Sequence, residues 1–198
     1  MHYHRSGLSA MIFVFLLFCR PDAASAQGVG QGLPAGEVAV AEESLQLRYL
    51  MPPPGAGAGE LGFGFFLNEN RDLVASSNFY VEATRVGFRN LSVMLGPMAY
   101  AALLSTENND VFAIALGAEV RMQILRRPEL TAVGRAAYAP DILTFGSADN
   151  LWDIVARLEL PLTNRVVGFG GYRLFEIDLL SGKAELEESI HLGLRYRF

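Results

Sequence analysis

Val111-Phe112-Ala113-Ile114-Ala115-Leu116-Gly117-Ala118-Glu119-Val120-Arg121-Met122-Gln123 decides the reading of this chain. Phe112, Ile114, Leu116, Ala118, Val120 and Met122 fall on one side of an extended segment. Ala113, Ala115, Gly117, Glu119, Arg121 and Gln123 fall on the other. Successive side chains of a strand point to opposite faces, so a period of two with charge on one side only is the mark of a strand between unlike environments.

Working outward, the same division runs from Leu151 to Leu160. Trp152, Ile154, Ala156, Leu158 and Leu160 oppose Asp153, Val155, Arg157 and Glu159. It returns at the end of the chain, where Ile190, Leu192, Leu194, Tyr196 and Phe198 oppose His191, Gly193, Arg195 and Arg197. Less regular strands are expected over 44–50, 60–67, 73–83, 91–103, 130–138 and 165–177. Their separators are turn-formers, among them Pro52-Pro53-Pro54-Gly55, Asn68-Glu69-Asn70-Arg71-Asp72, Arg126-Arg127-Pro128 and Ser181-Gly182-Lys183. A short segment at 37–41, followed by a turn at Glu42-Glu43, brings the count from nine to ten. An even number is what a bacterial barrel with both termini on one side requires. Eight strands, with two candidates merged or excluded, is the alternative.

The start of the chain reads differently. Arg5 precedes the apolar run Ala10-Met11-Ile12-Phe13-Val14-Phe15-Leu16-Leu17-Phe18, and small residues follow to Ala24-Ser25-Ala26. That order predicts a secretory signal peptide over 1–26, with cleavage before Gln27. The run is too short for a membrane-spanning helix, which takes about 20 residues. The sole cysteine, Cys19, follows Phe18 where a lipid-attachment site wants a small residue, so the exported chain is expected to carry neither lipid nor disulfide. Residues 27–36, rich in Gly, form a flexible lead-in, and 37–198 form the barrel. The formal net charge of the full chain is −5, and losing Arg5, Arg20 and Asp22 makes it slightly more acidic. Nucleic acid calls for a basic face and is excluded as a partner.

Alternation also fits a soluble exported β protein with its apolar face turned inward, a reading that stays open. Three features favour an all-β transmembrane antiparallel barrel of the outer-membrane type, in a Gram-negative envelope. The polar face mixes small residues with opposite charges, Glu119 beside Arg121 and Arg157 beside Glu159, as suits a narrow lumen. The last strand places Leu192, Leu194, Tyr196 and Phe198 at every second position, resembling the signal read by barrel-assembly machinery after delivery by periplasmic chaperones. Tyr49, Phe79, Phe112, Trp152, Tyr196 and Phe198 lie near strand ends, where aromatic girdles meet outer-membrane lipids. A barrel of eight or ten strands has an interior that side chains nearly fill, which argues against a wide porin.

The segment Tyr138-Ala139-Pro140-Asp141-Ile142-Leu143-Thr144-Phe145-Gly146-Ser147-Ala148-Asp149-Asn150, with the Trp152 strand and Gly171-Tyr172-Arg173, resembles the YfaZ family of outer-membrane proteins. Phe66-Leu67-Asn68 and Asp110-Val111-Phe112-Ala113 are similar to hairpins of that family, so the likeness covers nearly all of the exported region. It implies an outer-membrane barrel and supplies no mechanism.

Candidate sites follow from that topology. The tight turns at 126–128 and 161–164 face the periplasm, and a loop over 141–150, with Asp141, Phe145, Gly146 and Asp149, faces outward. Its aspartates fit either a capped turn, the default, or a lipopolysaccharide contact bridged by a divalent cation. The lumen charges Glu119, Arg121, Asp153, Arg157, Glu159, Arg195 and Arg197 form either a plug of ion pairs, again the default, or a narrow ion path. A lipid-directed hydrolase is the sharper alternative. His191 shares a face with Ser189 near Glu185 and Glu187, but neighbours two apart on a strand do not make an aligned nucleophile and base. No residues have metal-ligand spacing and no cofactor motif is present. The expected function is therefore non-enzymatic: a narrow channel, or a structural barrel with a surface loop.

Overall fold

The computed structural model describes residues 33–54, 58–84, 90–105, 109–126, 129–179 and 182–198. The segment expected to be a signal peptide, most of the expected lead-in, and parts of the 52–55, 126–128 and 181–183 turns lie outside these residues. The chain is an all-β closed antiparallel barrel. Ten strands build the wall: β1 Ala35–Val40, β2 Ser44–Met51, β3 Gly59–Asn68, β4 Leu73–Thr84, β5 Leu91–Leu104, β6 Asn109–Arg126, β7 Glu129–Ala139, β9 Ala148–Pro161, β10 Val166–Leu179 and β11 Gly182–Arg197. Sequential neighbours pair throughout, β5 joins β6, and β1 joins β11, so the sheet closes. Closure gives each of the ten strands a paired neighbour on both sides. An eleventh, three-residue strand, β8 Thr144–Gly146, pairs with β6 outside this ring.

Several sequence expectations shift at their boundaries. Ala35 and Gly36, expected in the lead-in, already belong to β1, because Arg197 and Tyr196 pair with them on one side and Leu50 and Tyr49 on the other. β11 begins at Gly182, well ahead of Ile190. Its first half escaped notice because the register shifts opposite Phe175/Glu176, and there Leu186 and Glu187 are buried in succession. The loop expected to reach Asn150 ends sooner, since Ala148, Asp149 and Asn150 open β9.

The two faces are sharply divided. Leu116 is 71% exposed on the outer wall, where Phe112, Ile114, Val120 and Met122 join it, while Ala113, Ala115 and Glu119 are buried inside. On β9, Trp152, Ile154 and Leu158 are outside and Asp153, Val155, Arg157 and Glu159 inside. Ile190, Leu192, Leu194, Tyr196 and Phe198 continue the apolar exterior on β11. Aromatic rings gather at both ends of this band. Tyr49, Tyr196 and Phe198 meet at the end carrying Ala35 and Phe198, with Phe198 6.2 Å from Tyr49 and 5.4 Å from Tyr196. Tyr138 with Trp152, and Phe112 with Phe145, meet at the far end. The ten steps from Phe112 to Met122, at about 3.4 Å each and tilted about 40°, span roughly 25 Å, the height of an outer-membrane apolar band.

Inside, Gly193 is held to glycine by close approach. A Cβ on Gly193 would lie 2.3 Å from Cζ of Phe169 and 2.5 Å from the Val38 carbonyl oxygen. The Phe169 ring is itself held, with the Arg157 guanidinium 4.6 Å over its centroid and His191 edge-on at 6.1 Å. Gly193→Val is therefore expected to cost about 1–3 kcal/mol, as overpacked interiors do. A urea titration of the refolded barrel, scored by the unboiled gel shift, measures it, and an unchanged midpoint would mean that the lumen yields freely at this point.

Candidate functional site

The lumen is layered. In the half nearer Phe198, six carboxylates and six guanidinium groups form two separate networks: Glu37, Glu60, Glu119 and Glu159 with Arg48, Arg121, Arg157 and Arg195, and Asp153 and Glu187 with Arg135 and Arg173. Equal numbers of opposite charge explain how so many ionised groups are accommodated inside one barrel. A buried charge stripped of its partner is the costly case.

One carboxylate organises each network. Glu37, on the short strand β1, accepts from Arg48 at 3.4 Å, from both terminal nitrogens of Arg157 at 3.3 and 3.1 Å, and from Nε of Arg195. Arg195 then turns its other two nitrogens to Glu159, at 3.0 and 2.8 Å. Asp153, with no exposed surface, accepts from Arg173 Nε at 2.9 Å, Arg173 Nη2 at 3.2 Å, the Tyr100 hydroxyl at 3.0 Å and Arg135 at 3.5 Å. Arg173 links onward to Glu187 at 3.2 Å.

Of the lumen charges expected from sequence, Glu119, Asp153, Arg157, Glu159 and Arg195 are buried in these networks. Arg121 joins the first at its edge, 2.6 Å from Glu119. Arg197 departs from the expectation. It keeps the same alternation but lies exposed at the rim, because β11 ends there and the networks lie deeper. Sequence reasoning missed Glu37, Arg48, Glu60, Arg135, Arg173 and Glu187. Arg135 alternates with Gly134 and Ala136 as clearly as Glu119 does with its neighbours, so that residue carried a usable signal.

Above the networks, toward the far end, the interior becomes apolar. Phe66, Val74, Leu104, Val111, Leu151, Phe175, Ile177, Leu179 and Leu186 are buried in one cluster. Phe175 sits at the junction, 5.8 Å from both Phe66 and Tyr100, with the Arg173 guanidinium 4.5 Å over its ring. The charged half thus ends against a layer of packed side chains.

His191 is buried beside Phe169, but the hydroxyl of Ser189 donates to Glu187 at 3.3 Å. The structure therefore brings Ser189 to a carboxylate and forms no Ser189 to His191 hydrogen bond among the described residues. No group of three or more His, Cys, Asp or Glu that could hold a metal is present among those residues.

No protein-family model matches the chain, and no curated protein matches it. Two solved structures are similar to it. A bacterial polysaccharide outer membrane secretin is 11% identical, with a TM-score of 0.46, over 78% of this chain and 56% of its own. The outer membrane channel DcaP of Acinetobacter baumannii is 10% identical, with a TM-score of 0.41, over 86% of this chain and 56% of its own. The chain thus spans just over half the length of each. Identity this low transfers no activity and no residue roles.

The outer loop takes a form that sequence did not suggest. After a 3-10 turn at Asp141–Leu143, β8 continues in the direction of β7 along the far end of β6 and pairs Thr144 with Ala113, Phe145 with Phe112 and Gly146 with Val111. Its polar anchor is Thr144, whose hydroxyl lies 2.9 Å from the Asp141 carbonyl and 3.1 Å from that of Asp149. Gly146 has φ +91, and a Cβ there would meet the Asp110 carbonyl oxygen at 2.2 Å. Asp141 and Phe145 are exposed, and Asp149 is half-buried at the start of β9. Ile142, 82% exposed, forms an apolar tip beside the Phe112–Phe145 pair.

Proposed function

We propose that the protein is an outer-membrane barrel with a closed lumen, whose work is done at its outer rim and not by passage through it. The apolar layer built on Phe175, Phe66, Ile177 and Leu151 carries this reading, because a layer of packed side chains that excludes water is a barrier to ions. The charged half supports the same reading as a plug: each carboxylate is engaged by one or more guanidinium groups, and the ion pairs stiffen the wall from within.

Termini in the periplasm would turn the β8 loop and the far rim to the cell exterior. Leu192, Leu194, Tyr196 and Phe198, all on the outer wall, would then be the residues read by assembly machinery during insertion. The likeness of Tyr138 to Asn150 to the YfaZ family accords with that placement. A lipid hydrolase is less well supported, since the Ser189 hydroxyl is engaged by Glu187.

Purified protein reconstituted into planar bilayers is expected to stay silent. Regular conductance steps from the unaltered protein would overturn the closed-lumen reading and favour a narrow channel.

A further inference from the structure

We propose that the far end of β11 is a docking edge for an extended, basic peptide segment of a partner, which would add to the barrel wall as a short strand. This reading is independent of whether the lumen conducts.

The first observation is an overhang. β1 pairs with β11 only from Arg197 to Leu192, so Gly182 through His191 run on past it. Backbone bonding shows which groups that leaves. The Phe198 amide donates to the Pro34 carbonyl, whereas the Arg197 amide donates to that of Arg165, beside β10. Alternate residues of a strand send their N–H and C=O groups to opposite sides, so even-numbered residues here serve β1 and odd-numbered ones β10. Beyond Leu192, the next even residues are Ile190 and Glu188. Among the described residues, their backbone groups have no strand beside them on that side. Farther on, the Leu186 carbonyl accepts from the side-chain amide of Asn68 at 3.4 Å, a side chain standing where a strand would be.

The second observation is how the same fold treats the equivalent problem elsewhere. β7 ends at Ala139, leaving the far end of β6 overhanging in the same way. There the chain supplies its own strand, β8, along Val111 to Ala113. The barrel wall therefore accepts a three-residue strand at such an edge.

The third observation selects the occupant. The overhang borders a notch of about 360 Å³ lined by Glu42, Glu43, Glu69, Glu185, Glu187 and Glu188. Among the described residues, Glu187 alone of these is paired with a guanidinium, that of Arg173. A second copy of this edge would bring like charges together, which disfavours self-pairing. An extended segment bearing Lys or Arg would satisfy the main-chain groups and the carboxylates together, the usual division of labour in strand addition.

The probe is a fluorescent peptide of alternating Lys and Thr, titrated by anisotropy onto the barrel refolded in zwitterionic vesicles. Saturable binding is expected. Methylating every backbone nitrogen of the peptide, which keeps its charge but removes its donors, should weaken binding about tenfold or more. E185Q combined with E188Q should weaken it by a similar factor. Equal binding of the methylated peptide would reduce the site to charge attraction and overturn the proposal, as would the absence of saturable binding. A gel shift confirms that the variant barrel folds, and the methylated peptide tests the edge without altering the protein.

Discussion

Glu37→Ala is expected to lower the stability of the refolded barrel by about 3–5 kcal/mol, the range found when one partner of a buried ion pair is removed. The reason lies in what remains. Arg48, Arg157 and Arg195 come from three different strands and converge on this one carboxylate, and all are buried. Arg195 retains Glu159 and Arg157 retains a contact with Glu159 at 2.8 Å, but Arg48 is left with Glu60 at 3.8 Å and the Asn78 side chain at 3.3 Å. A balanced interior then holds one excess positive charge. The measurement is the urea midpoint, with its slope, of the transition from the fast-running folded form on unboiled gels. An internal comparison separates this effect from ion pairs in general. The Lys183–Glu176 pair is shorter than the Arg48–Glu37 pair, at 2.8 Å, but its lysine is exposed at the rim. Glu176→Gln should leave the midpoint in place, because solvent screens such pairs. Equal effects from the two substitutions would mean that the lumen is wet enough to solvate its charges, and the plug would lose its rationale.

Much of the barrel was legible because its exterior and its lumen impose opposite demands on alternate residues. In β6 and β9 that demand is met at nearly every position, so Glu119, Asp153, Arg157 and Glu159 could be assigned a side from local sequence alone. The strand count also followed, once the short segment around Glu37 was admitted. What stayed hidden has physical causes. β8 is three residues long, and three residues show no period. The first half of β11 is masked by its register shift, which places Leu186 and Glu187 on the same buried side. The convergence on Glu37 is a matter of level. Which arginines from β2, β9 and β11 meet depends on strand tilt and stagger around the barrel, and neither is written in any one strand. The β11 overhang is hidden for a related reason, since it arises from the difference in length between two strands that lie at opposite ends of the sequence.

Leu116→Arg is expected to cost about 2–4 kcal/mol if the apolar exterior faces hydrocarbon, the depth-dependent cost of a cation on the lipid side near mid-bilayer. Leu116 stands near the centre of β6, between Pro97 of β5 and Tyr138 of β7, with the Phe112–Phe145 aromatic pair on one side of it and Arg126 at the other end of the strand. A position-dependent series makes the test specific. Ile124 lies on the same outward face but close to the terminal end, so Ile124→Arg should cost only about 0–1 kcal/mol because its guanidinium can reach the headgroups. A soluble barrel predicts the opposite pattern. There the exposed apolar wall would be a liability in water, and both arginines would be neutral or would improve solubility. Equilibrium unfolding of the three proteins in phospholipid vesicles decides between them. A large penalty at Leu116 that fades by Ile124 is the signature of a bilayer, since water presents no such gradient along a strand.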